Sequence, residues 1–211
     1  NWRFDERHSK TETHMDLPRI REGGLDVQFW SIYMGAREGD GRAIREALER
    51  IDAVHQMVAQ HPDVELATSV AEVRRHVAAG RFVSMMGIEG GHIIENSLSA
   101  LRNFYRLGVR YMTLTHSRNT PWADSATDDP EHGGLTDFGK DLVREMNRIG
   151  MVVDLSHVSE KTMMDALEAE AGEPVPVRVD LAGVVRATLD LLRERGVPVG
   201  RDVRAGAGEF E

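Results

Sequence analysis

Short, almost wholly apolar runs alternate with amphipathic segments through the middle of this sequence. Three runs of five to seven residues predict strands buried on both faces of a sheet: Phe82–Ile88, Val109–Leu114 and Met151–Leu155. An aromatic and β-branched run at Leu25–Met34 predicts a further strand. Apolar residues three and four apart, together with capping residues and glycine stops, predict five helices: Ala43–Ala59, Ser69–Ala79, Ser97–Leu107, Leu135–Ile149 and Ser159–Leu167.

The order strand, loop, helix, glycine and strand is typical of a parallel sheet with helical crossovers. No glycine-rich dinucleotide turn follows any strand, which favours a piece of a (β/α) barrel over a doubly wound sheet. The expected fold class is therefore α/β, similar to a (β/α)8 TIM barrel. About four or five parallel strands are expected, including a short one at Val197–Val199. Since a closed barrel needs eight strands and about 250 residues, we expect a partial barrel.

The pattern changes near residue 169. Residues 1–168 carry the barrel-like rhythm and are expected to form one domain. Residues 169–211 are expected to form a divergent tail, with a linker at Ala169–Pro176 and one amphipathic helix at Asp180–Arg195. The last segment, Gly200–Glu211, has little apolar surface to bury and is expected to be frayed.

The composition narrows the class of protein. With 41% apolar and 29% charged residues among 211, the chain is typical of globular proteins, and the lack of cysteine excludes disulfides and thiolate metal sites. A net charge of −9 disfavours nonspecific binding of nucleic acid. No stretch approaches the roughly 18 apolar residues of a membrane span. Because the polar start also lacks the apolar core of a signal peptide, we expect a cytoplasmic location.

Each of the three buried runs is followed by a residue able to bind a metal or move a proton. Glu89 follows the first run, His116 the second and His157 the third. In parallel barrels the carboxyl ends of the strands form the floor of the active site, so these side chains should meet there. A carboxylate and two imidazoles form the sulfur-free donor set that zinc hydrolases use. Each residue taken alone also fits a structural role, as a capping partner or a hydrogen-bonded histidine.

Other candidate ligands fit structural roles better. His14 and Asp16 form a His-x-Asp pair, but Leu-Pro follows them rather than an apolar run, so we expect a loop or the entry to a helix. His92 follows two glycines and is expected to be a hydrogen-bonded structural histidine. Five histidines in polar or helical settings are expected to be solvated: His8, His55, His61, His76 and His132.

Three long stretches resemble the renal (membrane) dipeptidase family of zinc peptidases. They are HMDLPRIREGGLDVQFWSIY, VSMMGIEGGHIIENSLSALRNFYRLGVRYMTLTHSRNTPWADSATD and GLTDFGKDLVREMNRIGMVVDLSHVSEKTMMDAL. Order and spacing agree from about Thr13 to about Leu167, and the strings GIEGGH, LTHSRNTPWADS and DLSHVS are specific. The resemblance implies a distorted (β/α)8 barrel that holds two zinc ions and hydrolyses dipeptides. Some family members accept a D-residue at the second position.

The resemblance also implies residue roles. Glu89 takes the position of the carboxylate that bridges both zinc ions, and His157 that of a histidine ligand to one of them. His116 takes the position of a catalytic histidine that binds substrate near the scissile carbonyl. A bridging carboxylate suits two ions about 3.5–4 Å apart, because a shared anion offsets their repulsion. We expect the ligand atoms of Glu89 and His157 to lie about 3–6 Å apart in one cavity.

Part of the family's machinery has no counterpart in this sequence. Missing are a first-strand His-x-Asp metal motif, a metal histidine in a Ser-His-Ser context, a substrate-binding arginine and an aspartate for proton transfer. Two hypotheses follow: a zinc-dependent dipeptidase-type metallohydrolase, or a catalytically inactive scaffold or assembly subunit of the same descent. A barrel hydrolase of amidohydrolase type is a weaker third, since the string LTHSRNTPWADS argues against it. The open sheet edges of a partial barrel favour a homo-oligomer.

Overall fold

Five strands form one parallel sheet in the computed structural model, which describes residues 3–35 and 41–171. They are β1 (Val27–Tyr33), β2 (Val64–Leu66), β3 (Phe82–Glu89), β4 (Val109–Thr113) and β5 (Val152–Asp154). Strand β3 pairs with β1 along one edge, while its other edge pairs with β2 near its start and with β4 near its end. Strand β5 pairs with β4, which gives the order β1-β3-β4-β5 with β2 beside β3.

A helix follows each strand, and one short helix precedes the sheet. The described residues form six α-helices: α1 (Leu17–Glu22), α2 (Ala43–Gln60), α3 (Val70–Ala78), α4 (Leu98–Arg106), α5 (Asp137–Ile149) and α6 (Glu160–Ala171). Hydroxyl side chains cap four of them by accepting a backbone N–H three residues on: Ser69, Ser97, Thr136 and Ser159. None of the helices within the described residues is long and apolar enough to cross a membrane.

The expected fold class is confirmed, because parallel strands alternate with helices in a TIM-barrel-like arrangement. The four longer predicted strands are present. The additional strand is β2, which the sequence analysis missed, since three residues with a glutamate in the middle are too short to show a period. Helix α6 runs to Ala171, past the expected start of the linker. The strand at Val197–Val199 and the tail segments from residue 172 onwards lie outside the described residues.

The two faces of the sheet have different surroundings. Side chains that point towards the helices are buried in the main core, among them Ile32, Met86 and Met112. On the opposite face, Phe29 and Tyr33 of β1 are 39% and 38% exposed within the described part of the chain. Successive side chains along a strand alternate between faces. This open face corresponds to the inner wall of a barrel, and the candidate site lies at its carboxyl end.

Two glycines of the GIEGGH string lie where neighbouring groups leave no room for a side chain. A Cβ added to Gly87 would lie 1.9 Å from Cε1 of Tyr111, the residue beside it on β4. A Cβ added to Gly91 would lie 2.5 Å from both the carbonyl oxygen of Leu114 and the indole ring of Trp122. The absence of a side chain at these positions therefore lets β4 and the following loop pack closely against β3.

We expect Gly87→Ala to lower the free energy of unfolding by about 1–3 kcal/mol, because the added methyl group must displace the Tyr111 ring. Urea unfolding followed by circular dichroism measures this. In a Tyr111→Ala background the same substitution should cost much less. An equal cost in both backgrounds would contradict the packing explanation.

Candidate metal centre

Glu89 is the last residue of β3, and its carboxylate lies at the centre of the candidate site. Its Oε2 accepts a hydrogen bond from Ser31 Oγ on β1 at 2.6 Å. Its Oε1 lies 3.3 Å from Nε2 of His116 and 3.6 Å from Nε2 of His157. One carboxylate oxygen is thus held by the neighbouring strand, while the other faces two imidazoles.

The two histidines reach this carboxylate from equivalent places in the fold. His116 lies three residues beyond the end of β4, and His157 lies three residues beyond the end of β5. Their rings are 4.3 Å apart between centroids, and the ring of Tyr33 lies 4.8 Å from that of His116. The side chains of Glu89, His116 and His157 are 30%, 21% and 42% exposed, so the cluster is open to a ligand from solvent.

The donor atoms of these three residues fit a zinc ion in type and spacing. One ligand atom from each lies within 4.8 Å of the others, and among the described residues no other such group of three is found. Zinc bonds of about 2.0–2.2 Å place tetrahedral ligands about 3.3 Å apart, close to the contacts observed here. The distance between Glu89 and His157 falls within the expected range. Their roles as ligands, and the catalytic role of His116, stay predictions, since His116 is as close to Glu89 as His157 is.

A buried carboxylate in the loop between β4 and α5 organises the backbone beside the site. Asp124 is 1% exposed and accepts the backbone N–H groups of Glu131, His132 and Gly134 at 3.0, 2.9 and 3.0 Å. Burial opposes its ionisation, but these three N–H groups outweigh that effect and lower the pKa of Asp124. The role of Asp124 could not be predicted from the sequence, because one aspartate in a polar loop carries no periodic signal.

His92 and Asp16, which were expected to have structural roles, make hydrogen bonds of that kind. His92 Nε2 donates to the carbonyl oxygen of Met34 at 3.1 Å, and burial lowers its pKa. Asp16 caps α1 by accepting the backbone N–H of Arg19 at 2.9 Å, which confirms the expected helix entry.

None of the five histidines expected to be solvated is fully exposed, and the expectation is furthest from the structure at two positions. The side chain of His132 is only 17% exposed, because the turn around Asp124 folds its ring back onto the carbonyl oxygen of Thr120, 2.9 Å from Nε2. The side chain of His76 is 16% exposed and lies beside Glu65.

A parallel (β/α) sheet with a carboxylate and two imidazoles at the carboxyl ends of its strands is typical of metal-dependent hydrolases with a barrel fold. The sequence matches the family described as membrane dipeptidase (peptidase family M19) over residues 2–177. The chain belongs to this family, which confirms the resemblance to the membrane dipeptidases.

Curated relatives agree with this assignment. Dipeptidase 3 of Rattus norvegicus is 44% identical over 167 residues, which cover 77% of this chain and 34% of that protein. Dipeptidase tcpJ of Claviceps purpurea is 42% identical over 181 residues, which cover 80% of this chain and 43% of that protein. The chain therefore spans about a third to two fifths of the length of these relatives.

Solved structures show the same fold. A structure described as dipeptidase AC, a metallopeptidase of family M19, superposes with a TM-score of 0.67 at 31% identity, covering 74% of this chain and 51% of that one. A metallopeptidase from Rhodobacter sphaeroides, bound to a phosphinate mimic of the dipeptide L-Ala-D-Ala, gives a TM-score of 0.65 at 28% identity. It covers 74% of this chain and 53% of that one.

Proposed function

We propose that this chain carries part of the zinc site of a dipeptide hydrolase. The observation that carries the proposal is the convergence of Glu89, His116 and His157 from the ends of three parallel strands to within 4.8 Å. Membership of the membrane dipeptidase family supports the substrate class. The inactive scaffold is the less favoured alternative, because a chain without metal chemistry has no need to hold three donor side chains together in a solvent-accessible position.

Glu89 and His157 are the proposed zinc ligands, with Glu89 as the carboxylate shared between two ions. The hydrogen bond from Ser31 fixes the plane of the carboxylate and leaves Oε1 facing the imidazoles. Each carboxylate oxygen has a second lone pair, so the oxygen bound to Ser31 retains the capacity to meet an ion. When bound, zinc supplies the Lewis acidity that polarises a scissile carbonyl and lowers the pKa of an attacking water.

His116 is the proposed catalytic and substrate-binding residue. Its imidazole donates a hydrogen bond to the carbonyl oxygen of the scissile peptide bond, and this bond strengthens as negative charge develops there. The Tyr33 ring, 4.8 Å away, restricts the rotation of the imidazole and so keeps the donor in place.

In an active full-length relative, replacing the residue equivalent to His116 by Ala is expected to lower dipeptide turnover by about 100-fold or more, since a preorganised hydrogen-bond donor is lost. Zinc content, measured by atomic absorption on the same preparation, should stay unchanged. Loss of zinc together with activity would assign this histidine to the metal instead.

By itself, this chain is expected to bind zinc weakly and to hydrolyse dipeptides poorly or not at all. A catalytic zinc normally has three protein ligands and a pair of ions needs more, whereas Glu89 and His157 supply two. A different chain that carries the missing His-x-Asp pair and histidine would have to supply the remaining ligands.

The test combines the zinc content of the purified protein with a dipeptide hydrolysis assay at added zinc, beside a Glu89→Ala control. Weak zinc binding that disappears in the control supports the proposal. Absence of any zinc binding favours the scaffold. Robust turnover that the control abolishes would show that further ligands are encoded in this chain.

A further inference from the structure

The backbones of the two site histidines are held by hydroxyl groups from the strand ends and the neighbouring loop. Ser125 is 3% exposed, and its Oγ donates to the carbonyl oxygen of His116 at 2.6 Å. Thr115 is fully buried, and its Oγ1 donates to the carbonyl oxygen of His157 at 3.0 Å. The backbone N–H of Ala126 reaches the same His157 oxygen at 2.8 Å.

The hydrogen-bond donors around these two carbonyl groups match the lone pairs that the oxygens offer. The oxygen of His157 has two lone pairs, which Thr115 and Ala126 use, so the single hydroxyl proton of Ser125 is available for His116. Ser125 Oγ also lies only 3.2 Å from the His157 oxygen. The loop at Ser125 and Ala126 therefore joins the end of β4 to the end of β5 at the two residues whose rings meet Glu89.

His157 needs such support because its backbone is in the left-handed region, with φ of 64°. A non-glycine residue is disfavoured in this region and persists only where surrounding contacts impose it. This conformation accompanies the contact of the imidazole with Glu89, at 3.6 Å. Without the hydrogen bonds to its carbonyl group, His157 would relax towards an ordinary backbone conformation and move its ring.

We propose that Ser125 and Thr115 are positioning residues of the candidate metal centre. Ser125 fixes the backbone of His116, and Thr115 fixes the left-handed backbone of His157, so that both imidazoles meet Glu89 before any metal binds. The effect on zinc affinity rests on the proposed function, whereas the effect on the positions of the two imidazole rings concerns the zinc-free chain. Removal of an outer residue that orients a metal ligand typically lowers metal affinity about 10–100-fold.

The test uses Ser125→Ala and Thr115→Val, the second being nearly isosteric and so the safer variant for folding. In the zinc-free chain, nuclear Overhauser contacts between the ring protons of His116 and His157, 4.3 Å apart between centroids, report the positioning directly. We expect both variants to lose these contacts and Thr115→Val to shift the Cα and Cβ resonances of His157 away from left-handed values. Zinc affinity, measured by competition with a chromophoric chelator, should fall about tenfold or more.

Ser97→Ala is the matched control, because it removes a hydroxyl that caps α4 by accepting the N–H of Ala100, away from the site. It should lower stability while leaving ring contacts and zinc affinity unchanged. Retained ring contacts in a folded Thr115→Val variant would overturn the proposal. If the wild-type chain binds no zinc, the proposed function fails, but the ring contacts still decide the positioning role.

Discussion

Replacing Glu89 by Gln is expected to lower the affinity of the chain for zinc by more than about 100-fold, beyond the range seen when only an outer partner is lost. The substitution keeps the size of the side chain but removes the negative charge on which His116 and His157 converge, 3.3 and 3.6 Å away. It also places an N–H₂ donor where an ion would need a lone pair. Competition with a chromophoric chelator measures the affinity.

The control is Glu49→Gln, which changes the same residue type on the surface of α2, where the carboxylate is 66% exposed. It should leave zinc affinity unchanged. In addition, zinc should raise the melting temperature of the wild type and of Glu49→Gln but not of Glu89→Gln, since binding to the folded state alone stabilises it. An equal response of all three proteins would remove Glu89 from the metal centre.

Replacing Asp124 by Ala is expected to lower the free energy of unfolding by about 3–5 kcal/mol. The carboxylate is 1% exposed, and its loss leaves the N–H groups of Glu131, His132 and Gly134 without their acceptor. Urea unfolding measures the change. Asp129→Ala, in the exposed part of the same loop, is the control and should cost less than about 0.5 kcal/mol.

The effect of Asp124→Ala should also depend on pH. Burial alone would raise the pKa of this carboxyl, but the N–H groups of Gly134, His132 and Glu131 bring it below its ordinary value of 3.8. The ionised group therefore stabilises the fold fully above that value, and the contribution is lost as the pH falls below it. The stability difference between wild type and variant should shrink in acid, and a difference that grew instead would contradict this account.

The strands that carry the site could be predicted because burial on both faces leaves an apolar run in the sequence. Phe82–Ile88 and Val109–Leu114 are such runs, and the residues after them could be placed at one end of a parallel sheet by topology alone. Strand β2 could not be predicted, since its three residues, Val64–Leu66, are too few to show a period.

The residues that surround and support the site could be predicted only in part. The alternation of side chains along a strand places Ser31 and Tyr33 on the same, open face of β1. Only the register that pairs Tyr33 with Glu89 brings these two residues to the site. Thr115 donates to the carbonyl oxygen of His157 from 42 residues away in sequence. Contacts of this kind depend on how two loops meet after folding, and residue pattern along one segment does not contain that information.

Because of the close packing around Gly87 and Gly91, the glycines of the GIEGGH motif can be conserved for a reason other than its chemistry. Each glycine is required by the packing of a neighbour, the Tyr111 ring in one case and the Leu114 carbonyl group with Trp122 in the other. Selection for folding alone would keep both glycines in a descendant that had lost its enzymatic role, while Glu89 between them would be free to drift. Among such descendants, the residue at position 89 would record whether the metal site was still in use.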